Sequence, residues 1–482
     1  MKKIFIALLL AAAVFTGCKD YLDIKPKGYT IPEVFEDYKK LLNNRDLNYS
    51  ASAYPNFLTD DAQTGTLKDV NSNTDFTLRS LLKRNLYSFE HGATLESGSM
   101  DTFYESAYSR IFTYNVVINN IENVPDGVPA QKKQLKAEAL VGRAFEYFNL
   151  VNGYSVQYDA ATAATDLGVP LVLSEDVTLK YIRNTVAEVY AQILKDLLEA
   201  QPNLGTVADH KFRPTKAACY ALLSKTYLVM GKYTEALQNA NEALKVNKNL
   251  ISYQDYTTKL GVTFGRVITI AKPELFFPPV ENSVETVWAR RTAQSDGHVM
   301  GELYASKDLL DIYAKDLPGG GIDKRLNLFF CTDSAQFGSN LTRFPGRSIW
   351  APYVEFNMAF STGELMLIAA EAEARIGDKD IALQHLYTLR NKRIVGNKPL
   401  IAATNDDALV LVLEERRREM PFQGITRLID LKRLNKDPRF AKTVTHTFGT
   451  QTFTLPANDL RYVLPIPPKV LALNPSIPVL DR

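Results

Sequence analysis

Cysteine is scarce, with three residues in 482, and because one of them is Cys18 only Cys219 and Cys331 remain for the body of the chain. A disulfide framework is not indicated. Cys219 falls in KAACYALLSKTYLVMG, where it reads as a small apolar residue on a helix face. Histidine is as thin: His91, His210, His298, His385 and His446 stand singly, without H-E-x-x-H or any pair at ligand spacing, so a zinc site has no support. No G-x-S-x-G elbow and no G-x-x-x-x-G-K-[ST] loop occurs; Gly319, Gly320 and Gly321 follow Pro318 as turn chemistry. Charge of one sign is missing too, since 56 Lys and Arg face 54 Asp and Glu. Without a clustered cationic excess a nucleic acid has no electrostatic footing. Beyond Cys18 no stretch is long and apolar enough for a membrane helix. What is present is a globular composition, 46% hydrophobic, 10% aromatic and 23% charged, sufficient to bury a large core.

The chain begins MKKIFIALLLAAAVFTGCKD: two lysines, an apolar stretch over residues 4–15, then Thr16 and Gly17. This predicts a signal peptide over residues 1–17, too short to remain as a spanning helix. Cys18, directly after Val-Phe-Thr-Gly, resembles the acylated cysteine of the bacterial lipoprotein box, which implies a lipid anchor. Residues 18–32, polar with Pro26, Gly28 and Pro32, read as an extended leader, and 33–482 as a single body.

Within that body, Phe103, Ala107, Ile111, Tyr114 and Ile118 recur at helical spacing, and residues 135–150 and 185–198 repeat the pattern. Between the last two, TDLGVPLVL reads as a buried loop or single strand. The clearest signal is AACYALLSKTYLVMGKYTEALQNANEAL, in which Leu223, Tyr227, Gly231, Tyr233, Ala236 and Ala243 sit at tetratricopeptide (TPR) offsets. A second copy, LMLIAAEAEARIGDKDIALQHLYTLRNKR, matches Ser224, Gly231 and Ala236 with Ala370, Gly377 and Ala382. The two are not tandem, and Lys248 stands where the consensus closes with proline. Helical pairs are thus expected near 101–200, 214–247 and 362–394, interrupted by a Gly-, Pro- and aromatic-rich insertion over about 250–360. The fold class is mainly α: a TPR-type helical-pair scaffold (α/α superhelix) with an irregular, loop-rich ligand-binding region inserted.

The order of these signals resembles the SusD/RagB family. The motifs carrying it are the CKDYLDIKP leader, AEALVGRAFEYFNLVNGY with TDLGVPL, NTVAEVYAQILKDLLEA, RPTKAACYALLSKTYLVMGKYTEAL and SKDLLDIYAKDLPGGGIDKR. GELMLIAAEAEARIGD, EERRREMPFQGITRLIDLKRL and LPIPPKVLALNPSI follow in the same order. The resemblance implies a non-enzymatic outer-membrane lipoprotein, facing the cell exterior, that captures an oligosaccharide. It would act as the lid of a SusC-like TonB-dependent transporter, without cofactor or metal. A peptide or glycopeptide cargo is the alternative within that architecture, and a surface glycoside hydrolase the alternative outside it.

For the hydrolase, Asp60 and Asp61 are the carboxylate pair to suspect. Asp69, Asn71, Asn73 and Asp75 alternate like a calcium loop, but Thr74 and Ser80 replace the glycine and glutamate it needs. The run over residues 414–419, EERRRE, reads as a scaffold helix whose mixed charges form structural ion pairs. A glycan site pairs exposed aromatic platforms with a few polar groups. Trp350, between Gly346 and Pro352, is expected on an exposed loop, whereas Trp288 is expected in the core. Tyr87 and Phe89 lie in an irregular stretch, and Asp61, Tyr304 and Arg343 are polar candidates beside them.

Overall fold

The computed structural model describes residues 32–64, 80–92, 95–96, 98–259, 265–292, 303–337, 339–343 and 349–482. The expected signal peptide, the anchor Cys18, its leader to residue 31 and the 69–75 loop lie outside the described residues. Helix accounts for 48% and strand for 11% of the structure, the expected mainly α class.

The chain enters through α1 (Phe35–Leu42) and α2 (Leu81–Tyr87). The apolar periodicities then become α3 (Thr102–Asn120), α4 (Pro129–Tyr154), α5 (Val186–Ala200), α6 (Lys216–Val229) and α7 (Tyr233–Val246). The loop-rich stretch holds two short helices, α8 (Lys307–Asp311) and α9 (Lys324–Phe329). The scaffold resumes with α10 (Thr362–Ile376), α11 (Lys379–Arg390), α12 (Asn405–Glu419) and α13 (Thr426–Leu434), and α14 (Pro468–Leu473) lies near the end. Consecutive helices from α3 to α7 pack on one another, α7 packs on α10, and α10, α11 and α12 pack together.

Local chemistry sets these joints. Gly231, at φ +74°, ends α6: its N–H bonds Leu228 O (3.1 Å) and the N–H of Lys232 bonds Tyr227 O (2.9 Å), the double closure that favours glycine at that position. On α4, a Cβ at Gly142 would stand 2.3 Å from the Tyr114 ring, so α3 approaches only because none is there. The patterning of α4 suggests one apolar face, yet every residue from 137 to 154 is buried, because α1, α3, α5, α6 and α13 all pack on it. Its polar groups are matched accordingly. Glu146 takes a bidentate pair from Arg110 (2.8 and 2.9 Å), Arg143 holds Asp196 (2.7 and 2.8 Å), and Glu138 holds Arg213. The TDLGVPLVL segment is a buried loop: Tyr147 and Asn115 donate to Val172 O (2.8 Å each) and Tyr108 to Pro170 O (2.9 Å).

The two repeats that sequence separates are neighbours in space. Helix α7 lies on α10, and Ala236 and Ala240 meet Ile368 and Ala369 in one fully buried cluster. The insertion is therefore looped out of a continuous helical stack. Among the described residues its strands form only two-stranded pairs, such as Thr286–Trp288 with Phe360–Ser361 and Ile322–Asp323 with Ile394–Val395. Trp288 is fully buried, as expected.

Buried ion pairs fasten this insertion to the stack. Arg325, on α9, bonds Asp323 (2.7 Å), Glu415 (2.6 Å) and Glu419 (2.8 Å), and Arg393 bonds Glu285 (2.8 Å) and Glu419 (2.7 Å). Arg390 adds a second contact to Glu415 (2.6 Å), and Arg418 donates to Ile312 O (2.7 Å). Burial alone would raise the Glu415 carboxyl, but the guanidiniums of Arg325, Arg390 and Arg418 hold it far below the carboxylate range. A depressed carboxyl stabilises the fold above its unfolded value, near 4.3, and loses that contribution as pH falls through its folded value. Glu415→Gln is expected to destabilise the protein by about 3–5 kcal/mol at neutral pH. In urea titrations the gap to the unmodified chain should close progressively between about pH 5 and pH 2; a gap independent of pH would refute the assignment.

Candidate ligand-binding groove

Of the open cavities, one of about 780 Å³ has the mix of groups a saccharide needs. One wall is the segment over residues 45–51. Asn44 starts its 3-10 turn Arg45–Asn48 by accepting from the N–H of Asp46 (3.0 Å), and Tyr49–Ser50 pairs in parallel with Arg291–Thr292. The other wall is the first two turns of α3, with Met100 before it. Asp101 caps that helix, its Oδ1 accepting from the N–H groups of Phe103 (3.0 Å) and Tyr104 (3.3 Å). The hydroxyls of Tyr54 and Tyr154 both donate to its Oδ2 (2.8 Å each), tying the wall to the core. Burial pushes the Asp101 carboxyl up, against the pull of those hydroxyls.

The lining is amphipathic. Tyr49 and Met100, the latter 58% exposed, give apolar surface. Arg45 lies over the Tyr49 ring (5.9 Å) and donates to its hydroxyl (3.3 Å). Asp46, Thr102, Ser106 and Ser109 supply polar groups, and Arg110, already neutralised by Glu146, forms part of the base. Glu105 is approached by Lys469 at 3.5 Å through Oε2, while its Oε1 is buried with no hydrogen-bond partner among the described residues. A second cleft of about 520 Å³, beside residues 206–217, is lined without Phe, Tyr or Trp, and a cavity of about 90 Å³ beside Trp350 is too small for a sugar ring.

The residues singled out from sequence lie elsewhere, and most are packed. Trp350 is 8% exposed and not on an open loop: Ile349–Trp350 pairs with Phe330–Cys331, the indole sits 5.1 Å from Phe329 and 4.5 Å from Phe356, and its N–H donates to Val354 O (3.0 Å). The flanking Gly and Pro mark turns but do not determine which side of the turn the ring takes. Tyr87 and Phe89 are buried against the His446 ring (4.2 and 4.6 Å), and Tyr87 donates to Thr447 O (3.0 Å). Asp61 is buried on Arg417 (2.6 Å), while Asp60 is held by Arg427 (2.8 Å) and Lys442 (2.7 Å). Tyr304 is buried in a strand paired with Ala62–Gln63, beside the strand of Trp350. Arg343 ends the strand Asn340–Arg343, opposite Ser334, and its side chain lies outside the described residues. Asp61, Tyr304 and Trp350 are thus gathered around two neighbouring strand pairs, as core. Tyr49, Met100 and Glu105 were missed; the usable signal was Asp101, a capping residue directly after an exposed methionine.

Two family models match the chain, one described as "Starch-binding associating with outer membrane" over residues 20–228 and one as "SusD family" over 355–478. The chain is 24% identical to SusD-like protein P2 of Formosa agariphila, over 99% of both chains. Its fold is similar to a SusD superfamily protein of Bacteroides thetaiotaomicron (TM-score 0.69, 21% identity, 93% of this chain and 100% of that one). It is also similar to surface glycan-binding protein A of Bacteroides uniformis (TM-score 0.68, 18% identity, 92% and 99%).

Because Asp101 serves the cap and two buried hydroxyls, which also bond each other (3.1 Å), Asp101→Ala should lower stability by about 2 kcal/mol, roughly 1 from the cap and 1 from the hydroxyl donor that the Tyr54–Tyr154 bond does not satisfy. Denaturant unfolding checks this, and a loss below about 1 kcal/mol would mean the wall is held by something else.

Proposed function

Since the chain belongs to the SusD/RagB family, we propose that it is a lipid-anchored glycan-binding protein of the outer membrane, facing the cell exterior, that takes an oligosaccharide into the groove between residues 45–51 and α3. In this reading Cys18 carries the anchor, and the bound sugar passes to a SusC-like TonB-dependent transporter over which the protein closes. The observation that carries it is the groove's lining: a tyrosine face and an exposed methionine beside hydroxyls, a guanidinium and a carboxylate. Sugar C–H faces stack on the apolar part, and their hydroxyls bond the polar part. The buried Trp350, Tyr87, Phe89, Asp61 and Tyr304 hold the frame, and Arg343 remains a candidate contact.

No turnover is assigned. Asp60 and Asp61, the suspected hydrolase pair, are engaged by Arg427, Lys442 and Arg417, and the neighbouring guanidiniums hold Asp60 far below the carboxylate range despite its burial. Burial pushes the Asp61 carboxyl up, but with Asp60 7% and Asp61 1% exposed, and guanidiniums on both, neither carboxyl has the access to substrate that a general acid needs.

Calorimetric titration with neutral oligosaccharides is the test. Tyr49→Ala is expected to weaken binding by roughly tenfold, about 1.4 kcal/mol, and Glu105→Gln by a similar factor, with the fold intact by circular dichroism. Unchanged affinity in both would remove the groove from the reading.

A further inference from the structure

The insertion carries another aromatic surface, away from the groove. Strands Tyr256–Thr258 and Val267–Thr269 pair antiparallel, and a third segment runs beside them, Thr269 N–H bonding Leu275 O (3.0 Å) and Phe277 N–H bonding Val267 O (2.8 Å). Successive side chains on that segment diverge. Phe277 packs inward on Tyr253, Tyr256 and Phe329, and Phe276 remains 47% exposed. The Arg266 guanidinium lies 4.9 Å from the Phe276 ring centroid and 4.0 Å from that of Tyr353, and Lys259 Nζ lies 6.0 Å from Phe276. Gly265 makes this possible. Its φ is +81°, and a Cβ there would stand 2.4 Å from Pro352, so the absence of a side chain brings the strand down on residues 352–353 and sets Arg266 on the Tyr353 ring.

Many buried arginines, such as Arg110, Arg325 and Arg393, are matched to carboxylates; Arg266 and Lys259 make no ion pair among the described residues, and Glu355, nearby in sequence to Tyr353, is turned toward Arg291 (3.9 Å). Two cations without an ion pair among the described residues therefore stand beside an exposed ring. We propose that Phe276, Arg266 and Lys259 form a second saccharide site, selective for an anionic sugar: a pyranose bearing a carboxylate or a sulfate. The inference rests on the glycan-binding reading for its ligand class, but not on the groove. The ring takes a C–H face of the sugar. The guanidinium, already immobilised against two aromatic faces, keeps N–H donors for the planar two-point contact that carboxylate and sulfate oxygens accept, with little ordering left to do on binding. Lys259 adds a point charge. The groove differs, because its Arg45 and Lys469 stand among Asp46 and Glu105.

The experiment titrates the full chain with three hexasaccharides: an oligogalacturonate, a sulfated galactan and a neutral galactan. At least one acidic oligomer should bind more tightly than the neutral one, and roughly tenfold more weakly in Arg266→Met and in Phe276→Ala at unchanged melting temperature. Affinity for that oligomer should also fall between 50 and 200 mM salt, roughly as screened charges require. The arm that responds distinguishes carboxylate from sulfate. Equal binding of acidic and neutral oligomers, no acidic binding at all, or full retention in Arg266→Met would each overturn the proposal. Tyr49→Ala separates the two readings, since it should weaken the neutral oligomer and leave the Arg266-dependent binding in place.

Discussion

The structure depends on one helix whose charges are turned inward. Along α12, residues 414–419 send side chains in several directions, and those of Glu415, Arg416 and Arg418 are buried. Glu415 and Glu419 receive guanidiniums from α9, from α11 and from Arg393, just beyond α11. Arg416 reaches Asp430 on α13 (2.9 Å) and Glu364 on α10 (3.3 Å), and Arg417 reaches Asp61 (2.6 Å) and Asp308 (2.8 Å). Parts of the chain running from Asp61 to Asp430 meet on six consecutive residues. Desolvating so many ions offsets much of their mutual attraction, so the network adds less to stability than its number of bonds suggests. Its contribution is geometric: a guanidinium left without its carboxylate in this interior is strongly unfavourable, so alternative dockings of the insertion are penalised.

That arrangement explains what sequence could and could not convey. The helices were legible because their apolar spacing is local, and the repeat at Gly231 was legible because a left-handed helix end selects glycine. The EERRRE run was legible as a helix of structural ion pairs. Its burial was not, because the partners lie up to 356 positions away, as Asp61 does from Arg417. The same limit produced the misplacement of Trp350. Gly and Pro near a tryptophan indicate a turn, but the pairing of Ile349–Trp350 with Phe330–Cys331 decides that its ring faces Phe329 and Phe356. Long-range register carries no local signature.

The groove was missed for the complementary reason. Its walls come from segments about 50 residues apart, and Asp101, at the start of the second, is bonded by Tyr54 over 47 positions and by Tyr154 of α4 over 53. Each wall alone reads as ordinary: a short turn with an exposed arginine, and the start of an amphipathic helix. The capping carboxylate, which binds the helix and both tyrosines, fixes the second wall to the core.

The contact between α7 and α10 has a consequence for how such a protein changes its ligand. Because these helices pack directly, the stack is continuous without the insertion, which leaves after α7 and returns at α10. Thr362 N–H bonds Glu285 O (2.9 Å), and Asn247 donates to Val284 O (3.1 Å), so departure and return are pinned beside one short strand. The scaffold also holds the insertion through the buried arginines and through the pairing of Ile322–Asp323 with Ile394–Val395. Residues such as Phe276 and Arg266 are held by Gly265, Pro352 and Tyr353, all within the insertion itself. Substitution there alters surface chemistry without disturbing the helical stack, whereas the groove, whose second wall is α3 itself, is coupled to the core through Asp101 and Arg110. The two surfaces therefore differ in how closely they are coupled to the helical stack.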